Sequence, residues 1–136
     1  MRSVLLDTNA YAAFMLGKVE VVEVIAYADS LLINSVVLGE LLGGFAPGTR
    51  EATNRAQLAR FLDSPRVDVV AVTAQTADSY ALIYSGLRRK GQPIPTNDLW
   101  IAASAMEHGA GLLTRDVHFR QVEGLRCGQC LADFLP

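Results

Sequence analysis

Apolar positions along this chain follow two rhythms. Short, almost wholly apolar runs alternate with longer stretches in which apolar residues recur every three or four positions. The first kind reads as buried strand and the second as amphipathic helix. Strands are predicted at Ser3–Leu6, Leu31–Asn34, Val67–Val72 and Gly111–Thr114, with a weaker one near Leu125–Cys127. Helices are predicted at Thr8–Leu16, Val19–Ala28, Ser35–Phe45, Glu51–Leu62, Ala74–Lys90 and Asn97–His108. Ser35 is a candidate N-cap for the third helix and Thr96 or Asn97 for the last, which Gly109 closes. Pro47-Gly48 and Lys90–Pro95 read as loops. Strand and helix in alternation give βαβ units and a parallel sheet. There is no repeat, no low-complexity tract and no internal boundary, so residues 1–136 read as one α/β domain.

Composition narrows the class. An apolar fraction of 51% over 136 residues is enough for a core and argues against disorder. MRSVLLD has too short an apolar run for a secretory signal. The most apolar later stretch, SLLINSVVLGELLGGFA, is broken by Asn34, Glu40 and glycines, so it falls short of a membrane span. A soluble cytoplasmic protein is the expectation. The net charge of −2 supplies no general basic field, so a nucleic-acid partner would need a local patch or a metal ion. Cys127 and Cys130 form one CGQC near the end. A zinc site needs two more ligands, and nothing in the spacing recommends His108 or His118. A redox pair belongs near the start of a helix early in a βαβ unit. The two cysteines therefore read as ordinary thiols in a final strand or turn.

The acids carry the chemistry. In a parallel α/β sheet, ligands bind at the carboxyl ends of the strands. Asp7 directly follows the strand VLL, and Asp116 follows GLLT by one residue. Asp98 lies in the first turn of TNDLWIAASAMEHG, a helix that precedes a strand and so begins at the same edge. Glu40 is about five residues into its helix, some 7–8 Å from that edge at ~1.5 Å per residue. Taken singly, Asp98 suits the positive end of a helix dipole, and Asp7 and Asp116 suit turns or caps. Glu40 is different: it is the only charged residue between Val36 and Phe45, among apolar and glycine neighbours. An unpaired carboxylate there is costly, and a cation is the natural answer. Four acids converging on one edge repel one another unless a divalent ion neutralises them. Oxygen ligands favour Mg²⁺ or Mn²⁺ over zinc, and such a nest is what metal-assisted phosphodiester cleavage requires.

These stretches resemble the PIN-domain nucleases, and most closely the VapC-type ribonuclease toxins of type II toxin–antitoxin systems. The matching segments are VLLDTNAY, NSVVLGELLGGF, PTNDLWIAASAMEHGAGLLTRD and VHFRQVEGL, in family order and at family-like spacing from Met1 to about Leu125. The resemblance implies a three-layer α/β/α sandwich with a short parallel sheet. It implies a Mg²⁺- or Mn²⁺-dependent endoribonuclease whose catalytic acids are Asp7, Glu40, Asp98 and Asp116. Asp7 and Asp98 would be the firmest metal ligands, Asp116 would complete the nest, and Glu40 would bind metal directly or through water. Thr114 matches a family hydroxyl beside the last acid, and Asn9 is a lesser supporting candidate or a helix cap. His118 stands where relatives often carry another acid; it reads as a phosphate contact when protonated or as a structural histidine. The resemblance further implies a small antitoxin partner, whose C-terminal segment wraps a groove near the site, and a homodimer. The apolar stretches Val19–Ala28 and Leu38–Phe45 are candidates for that groove or for core.

RNA also needs positive charge near the nest. Arg115 and the run Arg88, Arg89 and Lys90 are candidates, although a basic run also suits a helix C-terminus. Trp100 and Tyr11 are candidates to stack on a base, although Trp100 reads first as a core residue. A catalytically silent PIN-like binding module is the alternative reading, against which all four acids stand. A phosphoacceptor domain would pair acids after the first strand and place a lysine after a late one, where this chain has Asp7 alone and Arg115. A DNA flap nuclease would need further helices.

Overall fold

Strand β1 (Ser3–Leu6) is the centre of the molecule, and its apolar run explains why. The computed structural model describes residues 2–136. Five parallel strands lie in the order β3-β2-β1-β4-β5, with β2 at Ser30–Asn34, β3 at Val67–Val70, β4 at Gly111–Leu113 and β5 at Cys127–Gly128. Val4 pairs with Leu31 on one side and Gly111 on the other. Leu5, Leu6, Ile33, Leu112 and Leu113 are fully buried, as expected for central strands covered on both faces.

Six helices connect the strands: α1 (Thr8–Met15), α2 (Val19–Tyr27), α3 (Ser35–Phe45), α4 (Glu51–Leu62), α5 (Ala74–Lys90) and α6 (Thr96–Glu107). The chain steps outward from β1 through β2 to β3, then returns through α5 and α6 to β4 on the far side of β1. Right-handed crossovers in opposite directions put α1 to α4 on one face and α5 and α6 on the other. The three-layer α/β/α expectation holds. Among the described residues, no helix is long and apolar enough to cross a membrane.

Several boundaries differ from the sequence reading. β3 ends at Val70 rather than Val72, because Thr73 turns to form a capping box with Thr76 at the start of α5. β5 is Cys127–Gly128 rather than Leu125–Cys127, set by pairing with Leu112 and Leu113. Asn34, not Ser35, caps α3: its Oδ1 accepts from Val37 N at 2.8 Å. The Asn34 Nδ2 also donates to Ser104 Oγ at 3.0 Å, tying β2 to α6. Neither Thr96 nor Asn97 caps α6; Pro95 precedes it without a side-chain cap. Gly109 does end that helix, with a left-handed φ of 62°. Cys127 and Cys130 are both free and half-buried, in β5 and the turn after it.

Candidate active site

The strand order reverses between β1 and β4, so the gap between their carboxyl ends is the switch point where such sheets bind ligands. Asp7 leaves β1 there and Asp116 stands just beyond β4. Asp7 is buried and doubly held. Its Oδ1 accepts from Ala10 N at 2.8 Å, which caps α1, and its Oδ2 accepts from Thr114 Oγ1 at 2.5 Å. The same Thr114 oxygen accepts from Asp116 N at 2.9 Å, so one buried hydroxyl links both strand ends. Asp116 Oδ1 accepts from His118 N at 2.9 Å and lies 3.1 Å from His118 Nδ1.

α6 starts at this edge and delivers Asp98. One ligand atom from each of Asp98, Asp116 and His118 falls within 4.8 Å of the others. Asp7 and Glu40 stand outside that trio but act on it by charge. Glu40 is half-buried on α3 and meets two neutral donors rather than a cation. Its Oε1 accepts from Thr8 Oγ1 at 2.5 Å and its Oε2 from Asn97 Nδ2 at 3.2 Å.

The electrostatics follow from this crowding. The Asp98 carboxyl is pushed up to about 6, chiefly by burial and then by the charges of Asp116, Glu40 and Asp7, with His118 opposing the rise. Burial also raises Asp7, and the Asp116 and Glu40 charges add to it, while the bonds from Thr114 and Ala10 pull it back. Asp7 and Asp98 therefore resist ionising in this nest. The donors are mostly carboxylate oxygens, with one imidazole at the rim, and this set fits a hard divalent cation of the Mg²⁺ or Mn²⁺ kind.

The remaining candidates divide. His118 is exposed and belongs to the acid cluster rather than to the core. Asn9 is exposed and caps nothing, because Asp7 already caps α1. Arg115 is exposed and lines a small cleft with Lys18, Glu20 and Cys130, in which none of the four acids takes part. Tyr11 is not available to a base: it is 2% exposed and packs edge-on against Phe61 at 5.3 Å. Trp100 is half-buried against Tyr80. Lys90 is occupied by Gln121 O and Glu123. Two contributors were missed from sequence: Thr8 has no assigned role there and Asn97 reads only as a cap. Their contacts to Glu40 span 32 and 57 positions, beyond any local signal.

Comparison with known proteins agrees with the geometry. The PIN domain family model matches residues 4–125. The ribonuclease VapC2 of Rickettsia felis is 30% identical over 104 residues, 76% of this chain and 76% of that protein. The ribonuclease VapC1 of Haemophilus influenzae is 30% identical over 128 residues, 90% of this chain and 93% of that protein. Among solved structures, DNA-bound VapBC from Salmonella typhimurium superposes with a TM-score of 0.82 at 26% identity, covering 94% of this chain and 98% of that one.

Proposed function

The chain belongs to the PIN-domain family, and from that premise we propose that it is a divalent-metal-dependent endoribonuclease, the toxin of a VapBC-type toxin–antitoxin pair. Relatives similar over 76% and 90% of the chain are named ribonuclease VapC, and the solved neighbours include VapBC complexes. The observation that carries the reading is the meeting of Asp98, Asp116 and His118 within 4.8 Å, beside a buried Asp7 and under the field of Glu40.

Asp98 and Asp116 would hold the ion, and Asp7 and Glu40, whose charges bear on Asp98, would bind it directly or through water. When bound, Mg²⁺ or Mn²⁺ supplies Lewis-acid activation of water and neutralises charge on the phosphodiester. The protein's own part is positioning. Thr114 and Ala10 fix both oxygens of Asp7, so its carboxylate is oriented before any ligand arrives. Thr8 and Asn97 do the same for Glu40. A protonated His118, exposed beside Asp116, can donate to a phosphate oxygen. The four acids repel RNA, so an ion that compensates their charge strengthens substrate binding at the nest.

The partner would be a small antitoxin. Met15, Leu16, Leu41 and Phe45 line a cleft of about 250 Å³, and Leu16 is 76% exposed, which suits an apolar peptide face. We expect a homodimer in the cytoplasm, with residues 1–136 folding as one domain. Calorimetry with Mn²⁺ and Mg²⁺, run beside cleavage of total cellular RNA, tests the reading with wild type and Asp98→Asn. Metal binding and cleavage in the wild type, both lost in a folded Asp98→Asn, support it. A wild type that binds neither ion, paired with a variant of unchanged RNA behaviour, points to a silent binding module.

A further inference from the structure

An aromatic ladder runs beside the acid edge, on the outer side of α5 and α6, and the proposed mechanism does not use it. Trp100 on α6 packs against Tyr80 on α5, with ring centroids 4.2 Å apart. One turn further along α5, Tyr84 lies nearly parallel to Tyr80, at 6.2 Å and 9°. The two helices run in opposite senses: Thr76 at the start of α5 donates to Glu107 at the end of α6, Tyr80 meets Trp100, and Arg88 shares a cleft with Leu99 in the first turn of α6. Each turn from Tyr80 to Tyr84 to Arg88 therefore climbs toward the edge where α6 opens with Asp98. Tyr84 is 46% exposed, although a tyrosine ring has much to gain from burial. Beside it is a cleft of about 260 Å³ walled by Tyr84, Arg88, Pro93 and Ile94, with Leu99, the neighbour of Asp98, at its base. Arg88 is exposed and makes no ion pair among the described residues.

The composition of the cleft selects its occupant. A flat aromatic face invites a planar ring and an unpaired guanidinium invites an anion, in a cleft that also takes in Leu99, the chain neighbour of a proposed nuclease acid. A nucleotide carries both a ring and an anion, and stacking on exposed aromatics is how single strands are held without sequence reading. In a chain of net charge −2, such cations must be local to matter. We infer that the Trp100–Tyr80–Tyr84 ladder and Arg88 form a rail for single-stranded RNA, with a base stacked on Tyr84 in the cleft and a flanking phosphate on Arg88. This rests on the nuclease reading of the acid nest and extends it to how the strand is held. Double-stranded RNA, whose bases are already stacked, gains nothing from the rail.

The test separates binding from cleavage. Full-length protein in EDTA is titrated into a fluorescein-labelled single-stranded RNA of about ten nucleotides, and affinity is read by anisotropy. Tyr84→Ala should weaken binding about 5- to 150-fold, the range for loss of one stacked base. Tyr84→Trp should retain it, and Arg88→Gln should lower the salt slope by about one phosphate contact. Cleavage with Mn²⁺ should show a raised KM and little change in kcat for Tyr84→Ala. Wild-type affinity in a folded Tyr84→Ala overturns the rail, whether or not the enzyme cuts RNA. So does sedimentation showing that Tyr84→Ala dissociates a dimer while RNA affinity stays unchanged, since a second copy then occupies this face. A wild type that cuts no RNA with either metal sinks the nuclease reading alone, and the EDTA titration still decides the rail.

Discussion

Thr114 donates its hydroxyl to Oδ2 of Asp7 at 2.5 Å, across 107 positions of sequence. The bond is buried, and the same oxygen accepts from Asp116 N. Two acids from neighbouring strands are thus oriented by one side chain.

Thr114→Val keeps the shape and removes the hydroxyl. Asp7 loses its strongest fixed donor and Asp116 N loses its acceptor. Activity should fall about 10- to 100-fold, the usual range for a group that orients a metal ligand. Stability should fall by about 1–3 kcal/mol, because buried polar atoms are left unpaired. RNA cleavage rates and urea denaturation measure the two separately; unchanged cleavage would show that Thr114 is only structural.

The pH dependence of the metal-free protein follows from Asp98. Its carboxyl titrates near 6 when folded, above the ordinary aspartate value of 3.8. The protonated form is therefore favoured by folding. That contribution is fully present below about pH 4 and is lost as pH rises through about 6. Asp98→Asn should remove this slope. In EDTA at neutral pH the variant should melt higher than wild type, and the two should converge at about pH 4. Thermal melts across that range decide it; a variant that melts lower at neutral pH would mean that Asp98 is not under repulsion.

Metal should reverse the order. Saturating Mn²⁺ binds only the folded wild type and raises its melting temperature by an amount that grows with the logarithm of ion concentration over Kd. Asp98→Asn should gain little. Equal shifts in both proteins would place the ion elsewhere.

Glu40 is held by Thr8 and Asn97 without a positive partner. Glu40→Gln removes a charge that bears on Asp7 and Asp98, at little change of shape. Folding should be unharmed, while Mn²⁺ affinity by calorimetry should drop about tenfold, as for a supporting ligand. Undiminished affinity would reduce Glu40 to a structural acceptor.

Asn34 is fully buried, caps α3 and bonds Ser104. Asn34→Ala loses a cap and strands a hydroxyl, so it should cost about 2–3 kcal/mol in urea denaturation. A loss below about 0.5 kcal/mol would mean that α3 is capped by water.

The sequence by itself determined the elements and the edge. Apolar runs such as VLL and GLL must be buried strands, and amphipathic repeats must cover them, because hydrophobic burial and hydrogen-bond period act over a few residues. That is why the parallel sheet, the six helices, the Gly109 stop and the positions of Asp7, Asp98 and Asp116 along their elements were legible. Strand ends and caps were less so. Asn34 displaced Ser35 because a cap is chosen by backbone geometry at the turn, and β5 moved because its extent depends on pairing with β4. Only the tertiary structure decided what each acid touches. Thr114 reaches Asp7, Asn97 and Thr8 reach Glu40, and His118 joins Asp98 and Asp116, through contacts between elements distant in the chain. Tyr11 went into the core and Tyr84 stayed outside, although both are tyrosines on amphipathic helices. A helix pattern shows that one face is buried; what that face meets depends on how the layers pack, which no local stretch encodes.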